Sequence, residues 1–179
     1  MIYRCMIEKC PHGAEPCEMS TYDYNSCMHS SPCPIGEGDP FMPVDDENEF
    51  FCMIIGTRTF DDYETMKDTV DKMLINKKNK DIVVVSGGAN GADSLAEQYA
   101  REKGYQLVVF PANWDEEGKR AGYNRNKRMH EYLSKKEDKG VIAFWDGASK
   151  GTAHSFSLSK KYHNPIKCYN YKEKVFVKV

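Results

Sequence analysis

The chain has 179 residues, with 25 basic and 27 acidic side chains, a formal net charge of −2 and 40% hydrophobic residues. That length is enough for one domain with a real core, and the near-balanced charge gives no global drive toward nucleic acid or an anionic membrane. No apolar run approaches the roughly 18–20 residues that span a bilayer, and the opening "MIYRCMIEKC" lacks the pattern of a secretory signal. A cytoplasmic protein with mostly reduced cysteines is expected.

Two regions are predicted. Residues 1–48 form an irregular, cysteine-rich segment in which proline, glycine and polar residues dominate and no period persists. Residues 49–179 form the folded domain. "FFCMII" (50–55) reads as a buried strand that breaks at "GTRTF". Asp61 is placed to cap a helix with an apolar stripe of Tyr63, Met66, Val70, Met73 and Leu74. "IVVVS" (82–86) is a second strand, followed by a helix with Leu95, Ala96, Tyr99 and Ala100 on one face, ending at Gly104. "YQLVVFPA" (105–112) is a third strand, and "YNRNKRMHEYLSK" (123–135) a helix. "GVIAFWDG" (140–147) is a fourth strand, "GTAHSFSLSKKY" (151–162) a further helix, and "IKCYNY" and "KVFVKV" add one or two strands. Strands alternating with helices predict an α/β fold whose mostly parallel sheet is covered on both faces.

The stretch "SGGANGAD", Ser86 to Asp93, lies where the second strand ends and a helix opens. Ligands of open α/β sheets bind beyond the carboxyl ends of strands. A helix start offers free amides and a favourable dipole to an anion, and glycine lets the backbone approach it closely. A tight turn without a ligand explains the same residues. The spacing is neither G-x-G-x-x-G nor a P-loop. Other strand ends carry similar features: Gly56, Thr57 and Arg58 in "GTRTF", and Gly147, Ser149, Gly151 and Thr152 in "DGASKGTAH". Arg125 and Asn126 in "GKRAGYNRNKRM" complete a candidate crevice with two arginines beside two phosphate turns.

In their order, "GTRTF", "VVSGGANGAD", "FPANW", "GKRAGYNRNKRM" and "VIAFWDGASKGTAH" resemble the SLOG superfamily, specifically its YspA-like branch, over about residues 50–170. Lonely Guy phosphoribohydrolases and the DNA-processing protein A family are its relatives. The resemblance implies a Rossmann-like fold and a site for a nucleotide-derived small molecule, ADP-ribose-like or a nucleoside phosphate. By it, Ser86, Gly87, Gly88, Ala89, Asn90, Gly91 and Asp93 form the first phosphate turn, and Arg58, Arg125, Gly151 and Thr152 complete the pocket. Asp93 is equally well read as a helix first-turn carboxylate. Where Lonely Guy enzymes carry a catalytic glutamate, this chain has Ser155, with His154 beside it as the one candidate base.

The implied function is therefore a sensor or sequestering protein, expected to be phage-encoded and to act in a host cytoplasm on an immune signalling nucleotide. A nucleotide hydrolase is the alternative, and a nucleic-acid-binding module a third. The resemblance also implies a homodimer or higher even assembly, to which Met- and Tyr-rich helices would supply an apolar patch. Trp114 is a candidate for stacking on a base, whereas Trp145 reads as core. Cys5, Cys10, Cys17, Cys27 and Cys33, with His12 and His29, could build a structural Zn²⁺ site. The lack of a C-x-x-C pair leaves reduced, packed thiols as the other reading. No cofactor is required for ligand binding.

Overall fold

A computed structural model describes residues 3–5 and 48–179. Its strands are β1 (Tyr3–Cys5), β2 (Glu49–Gly56), β3 (Asp81–Ser86), β4 (Gln106–Val109), β5 (Lys139–Trp145), β6 (Ile166–Asn170) and β7 (Val175–Val177). Its α-helices are α1 (Tyr63–Met73), α2 (Ala92–Lys103), α3 (Trp114–Glu117), α4 (Ala121–Ser134) and α5 (Lys150–Lys161). The strands form one sheet in the order β1-β4-β3-β2-β5-β6-β7. All neighbours are parallel except β6 and β7, which are antiparallel.

The central position of β2 explains its unbroken apolar run, since a strand paired on both sides and covered on both faces has no side that needs polar residues. Successive side chains of β2 alternate between two cores. Phe50, Cys52 and Ile54 join Met66 and Val70 of α1 and Ala96 and Tyr99 of α2. Phe51, Met53 and Ile55 join Met129 and Leu133 of α4. Trp145 packs against this second core, as expected, with Phe156 of α5 edge-on to its ring.

The helix boundaries differ from expectation in instructive ways. Asp62, not Asp61, caps α1: the Thr65 N–H donates to Asp62 Oδ1 at 2.9 Å and the Thr65 hydroxyl to Oδ2 at 2.6 Å. The residue that caps is the one three positions before an amide it can reach. Gly104 closes α2 in the left-handed conformation, as expected. The third strand ends early, at Val109. Pro111 has no N–H to continue a ladder, and the chain turns into the short, unforeseen α3, capped by Asn113. Met66 and Met129 are fully buried, so they add nothing to an apolar surface for self-association.

The three residues of β1 belong to the sheet, pairing with Leu107–Val109 at its edge, although residues 1–48 were expected to be irregular. The candidate zinc ligands Cys10, Cys17, Cys27 and Cys33, with His12 and His29, lie outside the described residues. Cys5 ends β1. Among the described residues no three metal-binding side chains cluster, and no helix is long and apolar enough to cross a membrane.

The chain fills the sheet from β2 outward through β3 to β4, then crosses to the other side of β2 to form β5. Strand order reverses between β2 and β5, and the connections leaving their carboxyl ends diverge to opposite faces. That divergence opens a crevice where ligands of such sheets bind.

Candidate functional site

A cleft of about 350 Å³ occupies this crevice. Its wall includes eleven of the expected site residues: Gly56, Thr57, Arg58, Ala89, Asp93, Trp114, Arg125, Asn126, Ser149, Gly151 and Thr152. Lys119, Gly122, Tyr123 and Ser155 also line it. Ser86, Gly87, Gly88, Asn90, Gly91, Gly147 and His154 do not.

The turn from β3 into α2 explains part of that division, because its polar groups are spent internally. The Gly88 N–H donates to Ser86 Oγ at 3.2 Å, and the Ala89 N–H to Asp93 Oδ2 at 3.3 Å. The Ala92 N–H at the start of α2 donates to Thr57 O at 3.3 Å. Arg125, reaching across from α4, donates through Nη1 to Gly87 O and to Asp93 Oδ2, the latter at 3.0 Å. A Cβ at Gly87 would fall within the Arg125 guanidinium. Gly91 has φ of +79° and presses on the backbone of Thr57 and Arg58, a conformation open to glycine alone. These glycines serve the packing of protein against protein, where a close approach to phosphate was expected. The Gly88, Ala89 and Ala92 amides are turned to the protein's own oxygens.

Buried charge reinforces the closure. Asp93 and Arg125 are 4% and 7% exposed, and Arg125 Nε is buried without a partner. Desolvation pushes the Asp93 carboxyl up from its usual range, while Arg125 and the Ala89 amide pull it back. Beneath the turn, Ser86 Oγ donates to Glu97 Oε1 at 2.9 Å, and burial pushes Glu97 up as well. Arg125 is thus a buried strut more than a free cation, and Asp93 is its counter-ion.

The turn from β5 into α5 is different. Asp146 Oδ1 accepts from the Ala148 and Ser149 amides at 2.9 and 2.7 Å, and Ser149 Oγ caps the Thr152 N–H at 3.4 Å. Among the described residues, the N–H groups of Lys150 and Gly151 have no partner, as first-turn amides of a helix do unless something external supplies one. A Cβ at Gly151 would meet open space. The first turn of α5 is pinned from α4, where Asn126 Nδ2 donates to Ser155 Oγ at 3.1 Å and to Gly151 O at 3.4 Å.

Further along the α4–α5 seam lies His130, whose backbone carbonyl accepts from Asn164 Nδ2 at 2.9 Å. Burial first, and then the neighbouring His154, pull its pKa down to about 4. His154 lies edge-on to Tyr123, with centroids 4.8 Å apart, and burial lowers its pKa too. It is not among the residues that line the cleft.

The opposite wall carries Trp114, 51% exposed on α3. The Arg58 guanidinium sits 5.6 Å from the centroid of its ring. Among the described residues Arg58 has no carboxylate partner. The charged groups on the wall are therefore Arg58, Lys119 and the paired Arg125 and Asp93, a net positive set. Lys119, Gly122 and Tyr123 escaped the sequence reading. Their signal was helical spacing, for Gly122 precedes Arg125 and Asn126 by three and four positions and shares their face.

Fold and site together define a Rossmann-like α/β protein with a positively charged cleft at the carboxyl edge of its sheet. The model of the YspA, cpYpsA-related SLOG family matches residues 52–116, which run from β2 through the closed turn to α3. The "Gene 61 protein" of Mycobacterium phage D29 is 32% identical over 119 residues, covering 64% of this chain and 91% of the relative. The chain belongs to the YspA, cpYpsA-related SLOG family. That membership points to binding or processing of a nucleotide-related ligand.

Proposed function

We propose that the cleft binds a nucleotide-derived small molecule through its phosphate and holds it unchanged, as a sensor or sequestering protein. The observation that carries this reading is the makeup of the wall. It offers Arg58, Lys119 and the open amide of Gly151 to an anion, but its one carboxylate, Asp93, is locked against Arg125. Such groups stabilise a bound ground state, whereas acceleration needs groups that act more strongly on the transition state. Ser155, at the position where similar hydrolases carry glutamate, accepts from Asn126 and is 2% exposed.

With one of the two expected phosphate turns closed, a single phosphate position at the start of α5 fits better than a diphosphate bridge. A nucleoside phosphate is accordingly favoured over an ADP-ribose-like ligand. The phage relative is in keeping with a sequestering role in an infected host. The same reading includes a homodimer, which light scattering at micromolar concentration tests.

The test of function is calorimetry with AMP, ADP and ADP-ribose, followed by incubation, denaturation and chromatography of the released molecule. Micromolar binding with intact recovery is expected. Conversion beyond one equivalent per chain would make the protein an enzyme.

A further inference from the structure

Arg58 occupies an unusual position for a long, charged side chain. It is exposed at the mouth of the cleft, and among the described residues it donates no hydrogen bond and forms no ion pair, while its charge reaches the Asp93 carboxyl that Arg125 already holds. What it does meet is the Trp114 ring, 5.6 Å from the guanidinium carbon. An ion pair would hold an arginine still by cancelling its charge. An aromatic face holds it through the ring quadrupole and leaves the charge available.

The ring is itself held. Asn113 caps α3. Arg128 of α4 donates to Glu117 Oε1 at 2.7 Å and to Pro111 O at 3.5 Å, bracing both ends of the segment that carries Trp114. Gly122 of α4 lies beneath the pair: a Cβ there would be in ordinary contact, 3.6 Å from the Trp114 ring and 4.0 Å from Arg58 Nη2.

We infer that Trp114 is a positioning residue for Arg58, holding a guanidinium free of any ion pair over the cleft so that the site recognises the phosphate of its ligand. This rests on the reading of the cleft as a phosphate-ligand site and goes beyond it. It assigns Trp114 to the phosphate end, where stacking on a base was the expectation. The tryptophan face that Arg58 covers is closed to a nucleobase. The ligand class that follows is one selected by its phosphate, with base-free phosphates able to bind.

The experiment titrates the full chain with pyrophosphate, AMP and adenosine, using wild type, Trp114→Ala, Trp114→Phe, Arg58→Ala and the Arg58→Ala/Trp114→Ala double variant. Circular dichroism confirms that each is folded. Trp114→Ala is expected to weaken pyrophosphate and AMP alike, by about tenfold. Trp114→Phe should retain most of the affinity, and Trp114→Ala should add no loss on the Arg58→Ala background. Adenosine should bind poorly to every variant. A Trp114→Ala loss confined to AMP, or one that persists in full without Arg58, would assign the ring to the base and overturn the inference alone. A wild-type protein that binds neither phosphate probe would overturn the reading of the cleft and this inference together.

Discussion

Two turns of nearly the same composition leave the sheet at its carboxyl edge and open helices. In Ser86–Asp93, small residues let Arg125, Asp93 and the Thr57–Arg58 backbone close on one another. In Asp146–Thr152, Asp146 and Ser149 organise the turn from outside and the first amides of α5 stay open. The comparison teaches that glycines at a helix start mark a close approach without saying what approaches. In one turn the visitor is the protein's own arginine, and in the other a Cβ at Gly151 would meet open space.

The largest test of that contrast is Arg125→Ala. It leaves Asp93 buried and unpaired, and is expected to cost about 3–5 kcal/mol in urea unfolding. Arg58→Ala, outside both turns, should change stability by less than about 0.5 kcal/mol. An Arg125→Ala protein as stable as wild type would break the comparison.

The seam under the open turn should be sensitive to acid. In the unfolded chain His130 takes up a proton near 6.5, whereas in the folded protein burial delays this to about 4. Between those values the unfolded state binds more protons, so stability falls as pH drops through that window, by up to about 3 kcal/mol. Burial has raised Asp93 and Glu97, whose protonation works in the opposite sense. The measurement is therefore the difference between wild type and His130→Gln across pH 4–7. A difference that does not change with pH would remove His130 from the seam's acid response.

Single methyl groups sharpen the contrast further. Gly87→Ala places its Cβ in the Arg125 guanidinium and is expected to cost about 1–3 kcal/mol. Gly151→Ala meets open space, and its better helix propensity should leave stability equal or higher by up to about 1 kcal/mol. Thermal melts that reverse this order would exchange the roles of the two turns. Ser155→Ala removes one hydrogen bond from Asn126 and should cost about 0.5–1.5 kcal/mol, measured in the same melts.

Much of the fold was legible because a parallel sheet buried on both faces writes its strands as apolar runs, as in "FFCMII" and "IVVVS". Alternation of strands with periodic helices then sets the architecture, and the end of α2 could be read from Gly104 alone. The cleft was legible as a set of strand ends, since topology decides where they gather. The fate of each polar group was not. Nothing local in "YNRNKRM" distinguishes Arg125, turned inward to Asp93, from Arg128, turned to Glu117 and Pro111. Those partners lie on other elements, and only the packed chain chooses among them. Helix α3 was missed because four residues are too few to show a period.

The placement of β1 bears on how the chain is made. Tyr3 pairs with Leu107, so β1 leaves the ribosome ahead of a partner about a hundred residues behind it. At about 5–20 residues per second, that delay is several to some twenty seconds. Contacts so distant along the chain close slowly because the entropy of a long loop must be overcome first. The pair β2-β3 can assemble meanwhile from neighbouring segments. The β1 edge is thus expected to be the last part of the sheet to gain amide protection in pulsed hydrogen exchange, although its residues are synthesised before those of β4.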